Sequence, residues 1–410
     1  MRILYVAHRI PYPPDKGDKI RGWHFLSRLA RTHTVDLACL ADDPADLAPE
    51  RINALHAVCE RVEVIFRPRR RALVASMRAL GQGVAMSLPF FGDARLQSTI
   101  DRWIGERRYH AAIAHSAPMA QYVQAREGLV RVADFCDVDS EKWKQYAEMT
   151  GGPKALVYRR EAKKLREWEK EVARTWDSVV LATKPEADLF RAFCDDGRVE
   201  VVPNGVDADF FRPCRNPGET VLFTGAMDYF PNIEGVLWFA KEIWPLIRIE
   251  RPRTRFVIVG PRPSDAVRAL HDAELGIEVR GRIPDVRDAI AEAAVCVAPL
   301  RIARGIQNKV LEAMACSRAV VATTAAFEGV TAENGRDLVV ADDPRAFASE
   351  VVDLLADPAR RRRIGDHARK AVLATHAWDA HVGTLERLLK EPAAGSLQRM
   401  DEDESIGVPA

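Results

Sequence analysis

One segment of the sequence combines side chains that suit a diphosphate with one that suits a ribose. It reads Arg304-Gly305-Ile306-Gln307-Asn308-Lys309-Val310-Leu311-Glu312-Ala313-Met314-Ala315-Cys316. We expect a helix to begin at Gly305, because good helix formers follow it, and to point free N–H groups at an anion. Lys309 adds a positive charge, and Glu312 lies on the same face, where a carboxylate can accept hydrogen bonds from both ribose hydroxyls. The segment predicts a sugar-nucleotide site; the alternative is an ordinary capped helix with an exposed lysine and glutamate.

Two sets of short apolar runs, each followed by a helix-length amphipathic segment, surround this site in the sequence. The first set is Ile3–Ala7, Val35–Leu40, Val62–Phe66, Ala111–Ala114, Val130–Asp134 and Ser178–Ala182. The second set is Thr220–Thr224, Arg255–Val259, Glu278–Gly281, Val295–Ala298, Ala319–Ala322 and Leu338–Val340. Such alternation predicts parallel strands with right-handed helical crossovers and helices on both faces. We therefore expect an α/β fold with two doubly wound, Rossmann-like domains.

A cluster of prolines and glycines marks the join between the two sets. We expect an N-terminal domain over residues 1–203, a linker over 204–218 and a C-terminal domain over 219–376. A C-terminal helix over 377–390 should return to the first domain, and 391–410 should be a disordered tail. Ligands of open parallel sheets bind beyond the carboxyl ends of the strands, so the site should face an interdomain cleft.

Composition excludes several classes of protein. The chain has 410 residues, and its 60 Lys+Arg nearly cancel its 59 Asp+Glu, which argues against a globally basic nucleic-acid binder. The seven cysteines contain no C-x-x-C pair, so we expect neither a disulfide scaffold nor a zinc ribbon and favour a reducing compartment. We find no secretory signal and no apolar stretch long enough to span a membrane, and expect a cytoplasmic protein.

The segment from Arg304 to Cys316 resembles the donor-binding helix of the family-four retaining glycosyltransferases of the GT-B fold. Residues Pro203-Asn204-Gly205-Val206-Asp207 resemble the linker motif of that family. A more specific similarity, to the sugar transferases associated with the PEP-CTERM/exosortase exopolysaccharide system, is carried by Thr224-Gly225-Ala226-Met227-Asp228-Tyr229-Phe230-Pro231-Asn232, Trp238-Phe239, Glu242-Ile243-Trp244-Pro245 and Asp137-Val138-Asp139-Ser140-Glu141-Lys142-Trp143. The resemblance covers nearly the whole chain.

This resemblance implies two facing Rossmann-like domains and retaining transfer of a sugar, of the hexosyltransferase type. The donor would be a nucleoside-diphosphate sugar, a co-substrate used without any other cofactor, and the acceptor a glycan or polyprenyl-linked glycan. The family usually has two glutamates eight positions apart, and here Glu312 fills the second place while Arg304 occupies the first. A nucleotide-sugar epimerase, a glycoside phosphorylase and a non-catalytic sugar-nucleotide sensor are the alternatives. A dehydrogenase is disfavoured, because no G-x-G-x-x-G follows the first strand.

The site residues come partly from the residue pattern and partly from the resemblance. The donor-binding set is Gly17, Ile283, Arg304, Gly305, Ile306, Gln307, Asn308, Lys309 and Glu312, and the catalytic set is His115, Lys309 and Arg282. In the family, a glycine like Gly17 lets the backbone approach the diphosphate, and a histidine like His115 lies near the sugar and β-phosphate. From the residue pattern, we expect Asp18 to cap the helix that follows Gly17. The alternative for Gly17 is a Pro-Gly turn, and the alternative for His115 is a structural histidine. Ile283 could instead be a loop edge, and Arg282 a surface arginine.

Two further patterns lie outside the donor site. Asp137 and Asp139 form a D-x-D pair, for which capping of the helix near Ser140 is favoured over metal binding; we expect no metal, and an acceptor-side role stays open. Arg69, Arg70 and Arg71 precede apolar residues that share a helical face: Leu73, Val74, Met77 and Leu80. This pattern fits either contact with an anionic membrane, which would make the protein peripheral on the inner face of the cytoplasmic membrane, or a core-packed helix with an arginine collar.

Overall fold

The computed structural model places the two predicted sets of apolar runs in two separate parallel sheets. It describes residues 1–15, 17–123, 128–195, 197–213, 218–303 and 305–392. The chain divides into two compact units, the first built from residues 1–202 and the chain from His381 onward, the second from residues 203–380. Each sheet therefore belongs to its own unit.

The first unit contains a seven-stranded sheet. Its strands are β1 (Arg2–Ala7), β2 (Thr34–Ala41), β3 (Arg61–Phe66), β4 (Ala111–His115), β5 (Val130–Cys136), β6 (Ser178–Leu181) and β7 (Val199–Val201). All neighbours are parallel, in the order β3-β2-β1-β4-β5-β6-β7, with Tyr5 of β1 opposite Leu37 and Ile113. All six predicted strands of this set are confirmed, and β7, a three-residue edge strand, was missed.

The helices of the first unit connect these strands. They are α1 (Gly17–Leu29), α2 (Pro49–His56), α3 (Arg69–Gln82), α4 (Ser87–Phe91), α5 (Ala94–Glu106), α6 (Asp139–Met149), α7 (Gly152–Thr175) and α8 (Lys184–Arg191), with 3-10 turns at Pro44–Leu47 and Ala117–Tyr122. Three aromatic side chains, Trp103, Phe135 and Phe190, are buried in the core between helices and sheet.

The second unit contains a six-stranded sheet. Its strands are β8 (Thr220–Thr224), β9 (Arg255–Val259), β10 (Ile277–Gly281), β11 (Ala293–Ala298), β12 (Ala319–Ala322) and β13 (Val339–Val340). They are parallel in the order β10-β9-β8-β11-β12-β13, and all six were predicted. In chain order this is 3-2-1-4-5-6, the strand order of a doubly wound nucleotide-binding fold.

Helices cover both faces of the second sheet as well. They are α9 (Phe230–Trp238), α10 (Trp244–Glu250), α11 (Asp265–Arg268), α12 (Val286–Glu292), α13 (Asn308–Ala315), α14 (Thr324–Phe327), α15 (Pro344–Ala356) and α16 (Pro358–Thr375), with a π-helical turn at Phe239–Ile243. The last helix, α17 (Trp378–Leu388), belongs from His381 onward to the first unit. The core is built around Phe239, Trp244 and Phe256, whose rings lie 4.5 to 6.4 Å apart. Strands buried on both faces need apolar residues at every position, which is why β11 and β12 show continuous rather than alternating hydrophobicity.

Each sheet has one point where the connections reverse direction. In the first sheet this point lies between β1 and β4, and in the second between β8 and β11. Loops that leave the carboxyl ends of these strands diverge and leave a crevice, the usual ligand site of open α/β sheets. The two crevices fix where functional residues are to be sought, whereas the interdomain cleft stays a prediction.

Candidate functional site

Helix α13 starts beside the crevice of the second sheet. Gly305 adopts a left-handed backbone (φ 66°), and the helix begins at Asn308, three residues later than predicted. The left-handed conformation cannot continue into a right-handed helix, which explains the later start. Gln307 occupies the N-cap of α13, and its side chain makes no capping hydrogen bond. The predicted donor residue Arg304 lies outside the described residues.

Lys309 extends from α13 to the first strand of the second sheet. Its ammonium donates a 2.5 Å hydrogen bond to Asn232 Oδ1 and lies 4.7 Å from the centre of the Phe223 ring. Both partners are neutral, and burial lowers the pKa of Lys309 to about 7 although the charge of Glu312 opposes the shift. The lysine ammonium therefore contacts an amide dipole and an aromatic ring, and no carboxylate of the described residues forms an ion pair with it.

Glu312 stands one turn further along the same face of α13 and is half-buried. Burial raises the pKa of its carboxyl to about 7, and the positive charge of Lys309 acts in the opposite direction. The two groups are three residues apart, so they can contact successive parts of one ligand. A ligand that brings negative charge to Lys309 and hydroxyl donors to Glu312 would stabilise the charged form of both.

Two glycines give Lys309 and Asn232 their space. Gly225 follows β8 at a positive φ of 157°, and a Cβ there would lie 2.8 Å from Asn232 Nδ2 and 3.3 Å from Lys309 Cε. A Cβ on Gly260, which follows β9, would lie 1.7 Å from the carbonyl oxygen of Gly225. The loops after β8 and β9 are therefore in backbone contact, and only glycine fits at this contact.

Asn232 was not predicted as a site residue. It sits in the first turn of α9, and its Nδ2 donates a 2.9 Å hydrogen bond to the Ala226 carbonyl oxygen, which leaves Oδ1 facing Lys309. The sequence contained a signal, since Asn232 and Gly225 lie within the motif that carries the specific family resemblance. Spacing alone did not assign it a role, because 77 residues separate it from Lys309.

Ion pairs hold the loops around this crevice. Arg262 binds Asp228 through two hydrogen bonds of 2.5 and 3.0 Å, which ties the loop after β9 to the loop after β8. Arg301, in the loop between β11 and α13, binds Glu234 of α9 and lies 5.3 Å from the Trp238 ring. The loops that surround Lys309 are thus fixed to one another by side chains of opposite charge.

The predicted residues after β10 lie two strands away from β8. Gly281 ends the strand with a left-handed φ of 66°, Arg282 is exposed, and Ile283 is half-buried and packs against the core of the second unit. Their place beyond the carboxyl end of a strand agrees with the expected topology. Their contacts with a donor stay a prediction.

The crevice of the first sheet holds a buried network of charges around His115. His115 ends β4, is 2% exposed, and its Nδ1 lies 2.8 Å from Asp134 Oδ2. Arg21 of α1 donates hydrogen bonds of 2.9 and 2.8 Å to Asp134 Oδ1 and one of 2.8 Å to the Val202 carbonyl. Burial alone would raise the pKa of Asp134, but Arg21 and His115 outweigh it and hold this pKa below its ordinary value.

The other side of the same network involves the loop after β1. His115 Nε2 lies 3.1 Å from the carbonyl oxygen of Asp18, so protein groups engage both ring nitrogens of the predicted catalytic histidine. Asp18 lies in the first turn of α1, where its Oδ1 accepts a 3.0 Å hydrogen bond from the Lys19 N–H and its Oδ2 accepts a 2.8 Å hydrogen bond from Arg9. Gly17 is the exposed first residue of α1, and its approach to a diphosphate stays a prediction.

Within the described part of the chain, one group of three side chains has the spacing of metal ligands: His115, Asp134 and Cys136. The Cys136 sulfur lies 3.9 Å from both His115 Nδ1 and Asp134 Oδ2. Burial raises the pKa of this thiol well above its ordinary value, which disfavours the thiolate that a metal needs, and Arg21 already neutralises Asp134. The chemistry of these donors fits a hydrogen-bonded network better than a metal centre.

Asp137 and Asp139 follow β5, but the capping explanation given for them is wrong. Helix α6 has Val138 at its N-cap, with no side-chain capping bond, and Asp139 pairs with Lys142 at 3.6 Å. The amides at this helix start are instead bound by carboxylates of other helices. The Val138 N–H donates to Glu186 at 2.7 Å and the Ser140 N–H to Glu169 at 3.0 Å. Local sequence could not show this, because both acceptors are distant in the chain.

A hollow opens beyond the carboxyl ends of β1, β2 and β3. It is lined by His8, Arg9, Leu40, Ala41, Asp42, Arg67, Arg69, Ala72, Phe90 and Phe91. Arg9 is held by Asp18, and Arg67 by the carbonyls of Pro89 and Phe90 at 2.7 and 3.0 Å. The hollow thus combines fixed hydrogen-bond donors with aromatic rings.

Comparison with known proteins agrees with this geometry. Residues 218–357 match the family model described as "Glycosyl transferases group 1". An "Uncharacterized 44.6 kDa protein in cps region" of Klebsiella pneumoniae is 21% identical over 373 residues, 86% of this chain and 90% of that protein. A "D-inositol 3-phosphate glycosyltransferase" of Mycobacterium avium is 29% identical over 251 residues, 54% of this chain and 58% of that protein. The crystal structure of HepE from Anabaena with UDP and glucose superposes with a TM-score of 0.64 at 15% identity, covering 95% of this chain and 99% of that one.

The two parallel-sheet units have the GT-B fold. The chain carries a glycosyltransferase group 1 domain and is a glycosyltransferase, and the matched residues contain β8, Gly225, Asn232, Lys309 and Glu312. None of the described helices combines the length and the apolar character needed to cross a bilayer.

Proposed function

We propose that this protein is a retaining glycosyltransferase that moves a sugar from a nucleoside-diphosphate sugar to a glycan or polyprenyl-linked acceptor. The observation that carries the proposal is Lys309, a half-buried ammonium at the sheet crevice whose contacts are a neutral amide and an aromatic ring. Such a cation gains a counter-charge when an anion binds, and the start of α13 adds the positive end of a helix dipole. A diphosphate placed there would lie one turn from Glu312.

In this proposal the second unit binds the donor. The diphosphate accepts hydrogen bonds from Lys309 and from the amides at the start of α13, with Gly305, Ile306, Gln307 and Asn308 forming the turn before it. Glu312 accepts hydrogen bonds from the ribose hydroxyls, and the backbone at Ile283 lies near the base. Arg282 and Lys309 stabilise the charge that develops on the departing nucleoside diphosphate. These cations supply the stabilisation that a metal would otherwise give, so we propose a reaction without a resident metal or cofactor.

The first unit would bind the acceptor. The hollow lined by fixed arginines and two phenylalanines offers hydrogen-bond donors and a ring face to a saccharide. Asp137 and Asp139, both half-buried after β5, are weaker candidates for the acceptor side. Because both nitrogens of His115 are engaged, its proposed role is to position the loop that contains Gly17 and Asp18, with access to the sugar only if that loop moves.

The pathway we propose is extracellular polysaccharide synthesis. The Klebsiella relative is named for its place in a cps region, and the motif Thr224–Asn232 supports the PEP-CTERM/exosortase system. We propose that the enzyme is cytoplasmic and attached peripherally to the inner face of the membrane.

A screen of nucleoside diphosphates and their sugars by thermal unfolding tests the donor site. A ligand at 100 times its Kd stabilises the native state by about 2.7 kcal/mol, which raises the Tm of a unit of this size by roughly 5–10 °C. We expect this shift with one base, and we expect Lys309→Met and Glu312→Ala to lose it. Lys241→Met, which removes an 83% exposed lysine of the same unit, is the matched control and should keep it. Equal shifts in all four proteins would contradict the proposed site.

Product analysis separates transfer from the alternatives. With donor alone, an epimerase converts the sugar nucleotide, whereas a transferase gives at most slow hydrolysis. With a glycan acceptor, the anomeric configuration of the product shows whether transfer is retaining. A protein that binds the donor but yields no product with any acceptor would be a sensor, and the transferase proposal would fail.

A further inference from the structure

Helix α3 exposes an apolar face to solvent. The side chains on this face are large, and their exposed fractions are 49% for Leu73, 51% for Val74, 65% for Met77 and 41% for Leu80. The buried side of the helix consists of the small residues Ala72, Ser76 and Ala79. The alternative of a core-packed helix is therefore wrong, because the small residues face the protein and the large apolar ones face outward.

The helix is held firmly in this orientation. Arg160 of α7 donates hydrogen bonds of 2.9 Å to the Ala79 carbonyl and 3.1 Å to the Val84 carbonyl, which satisfies the carboxyl end of α3. Ser76 donates a 2.9 Å hydrogen bond to the carbonyl of Met86, in the segment that leads into α4. Rotation of α3 that would bury the apolar face must break these bonds, so the exposure is built into the fold.

The charge of α3 is of one sign. Its 14 residues include Arg69, Arg70, Arg71 and Arg78 and contain no acidic residue. All four arginines are exposed, and Arg71 and Arg78 lie two turns apart on one flank of the apolar face. An exposed apolar face flanked by cations favours a partner that is both apolar and anionic.

We propose that α3 lies in the surface of an anionic lipid bilayer, with Leu73, Met77 and Leu80 inserted below the headgroups. This partner deepens the proposed function, since it would hold the enzyme where polyprenyl-linked acceptors reside. A second copy of the chain is the less favourable occupant, because self-pairing would bring two sets of four arginines together. A nucleic acid or acidic protein would satisfy the arginines but would leave the apolar residues without a partner.

Co-flotation of the full-length protein with vesicles tests the proposal. Vesicles of phosphatidylcholine are compared with vesicles that contain about one third phosphatidylglycerol, at ~0.1 M and ~1 M salt. We expect binding to the anionic vesicles and weaker binding at high salt. Equal recovery with both lipids, or no recovery with either, would overturn the proposal.

Two variants separate the charge from the apolar face. Arg70→Gln with Arg71→Gln should weaken binding to anionic vesicles roughly 25-fold, since each arginine near an anionic surface contributes about five-fold. Leu73→Gln with Met77→Gln should weaken binding to anionic vesicles by roughly ten-fold or more. The binding that remains should still become weaker at high salt, because the arginines are unchanged. The matched control is Arg362→Gln with Arg363→Gln on α16, which makes the same charge change at exposed positions of the other unit. If this control loses as much binding as the α3 arginine variant, α3 is not the lipid surface.

Further measurements distinguish the other occupants and the donor site. If sedimentation without lipid shows a dimer that Leu73→Gln with Met77→Gln converts to a monomer, the face is a protein interface and the proposal fails. A further outcome is that the wild type binds a DNA duplex as tightly as it binds vesicles. If the variant Leu73→Gln with Met77→Gln then binds DNA and vesicles as tightly as the wild type does, the partner is a general polyanion and the proposal fails. Nucleotide-induced stabilisation is measured on the same variants, and we expect it unchanged, so that loss of lipid binding and failure of the donor site give different results.

Discussion

The same crevice occurs in both sheets, but its charges are arranged in opposite ways. In the first unit, Asp134 of β5 is bound by Arg21 of α1 and by His115 at the end of β4, so each charge has a partner. In the second unit, Lys309 between β8 and β11 contacts a neutral amide and a ring, and Glu312 stands a turn away. Among the residues that the structure describes, the charges of the first crevice are paired with one another, whereas neither Lys309 nor Glu312 contacts a group of opposite charge.

The directions of the pKa shifts express this difference. The carboxyl of Asp134 is fully buried, yet its pKa lies below the ordinary value because Arg21 and His115 stabilise the carboxylate. The carboxyl of Glu312 is less buried, yet its pKa is raised to about 7 because the opposing charge of Lys309 is too weak to offset desolvation. Burial alone therefore does not identify a binding site. Uncompensated burial of charge at a sheet crevice is typical of binding sites, and this pattern supports the proposal that the second unit binds the donor.

The largest effect should come from disrupting the network of Asp134, Arg21 and His115, which we call the closed network. Asp134→Asn leaves the Arg21 guanidinium buried without a counter-charge, and we expect a loss of about 3–5 kcal/mol in the free energy of unfolding. Urea unfolding followed by circular dichroism measures it. The depressed pKa also means that this stabilisation is complete above about pH 4 and is lost in the wild type as pH falls through the folded-state pKa.

Lys309→Met is the corresponding substitution in the second unit, at the crevice between β8 and β11, which we call the open crevice. It sharpens the comparison between the two units. Removing a poorly compensated cation should change the free energy of unfolding by less than about 1 kcal/mol, although nucleotide binding is lost. A loss of stability as large as that of Asp134→Asn would show that Lys309 is also part of a structural network.

The next effect concerns the contact that gives Lys309 its space. A Cβ introduced by Gly225→Ala would lie 2.8 Å from Asn232 Nδ2, so the amide that orients Lys309 must move. We expect a loss of about 1–3 kcal/mol in stability from overpacking and a weakening of donor binding by roughly ten-fold or more. Calorimetric titration with the nucleoside diphosphate found in the screen measures the affinity. Gly105→Ala, where a Cβ meets nothing within 4 Å, is the matched control, and an equal loss there would refute the steric explanation.

Donor binding should depend on pH through the two groups of the open crevice. A bound diphosphate favours charged Lys309, so affinity should fall as pH rises above about 7, the pKa of the free site. Ribose hydroxyls favour charged Glu312, so affinity should also fall as pH drops below about 7. Titrations at a series of pH values should show a maximum near neutrality. Lys309→Arg, which keeps its positive charge at alkaline pH, should remove the alkaline limb and Glu312→Gln the acidic limb, and unchanged profiles would disprove the assignment.

The sequence predicts the sheets well and the closed network poorly, for a physical reason. Strands such as β11 are buried on both faces, so their positions are uniformly apolar and can be recognised locally. Lys309 and Glu312 could be found because they share one helix face. Arg21, Asp134 and the partner of Lys309, Asn232, depend on contacts across 113 and 77 residues, which no local spacing encodes.

Helix termini show the same limit. Gly305 was expected to start a helix, but its left-handed backbone places the start at Asn308. At α6 the adjacent aspartates suggested a cap, but Glu169 and Glu186 from two other helices bind the amides. Propensity describes what a residue can do locally, and tertiary contacts decide which acceptor is used.

Glu169, also in the first unit, departs from this pairing of charges and gives the smallest expected effect. Its carboxyl is fully buried beside the neutral groups of Ser140, and burial raises its pKa to about 8. Because the folded state holds this proton and the unfolded state releases it near pH 4.5, wild-type stability should fall as pH rises from about 4.5 to 8.

Glu169→Gln replaces the protonated carboxyl by a neutral group of the same shape. At acidic pH we expect a change below about 1 kcal/mol, since the amide oxygen can still accept the hydrogen bond from the Ser140 N–H. Between about pH 4.5 and 8 the variant should lose less stability than the wild type, and urea unfolding at each pH measures the two slopes. Parallel slopes would show that the carboxyl is ionised in the folded protein, and the contrast between paired and unpaired charges would then not extend to α6.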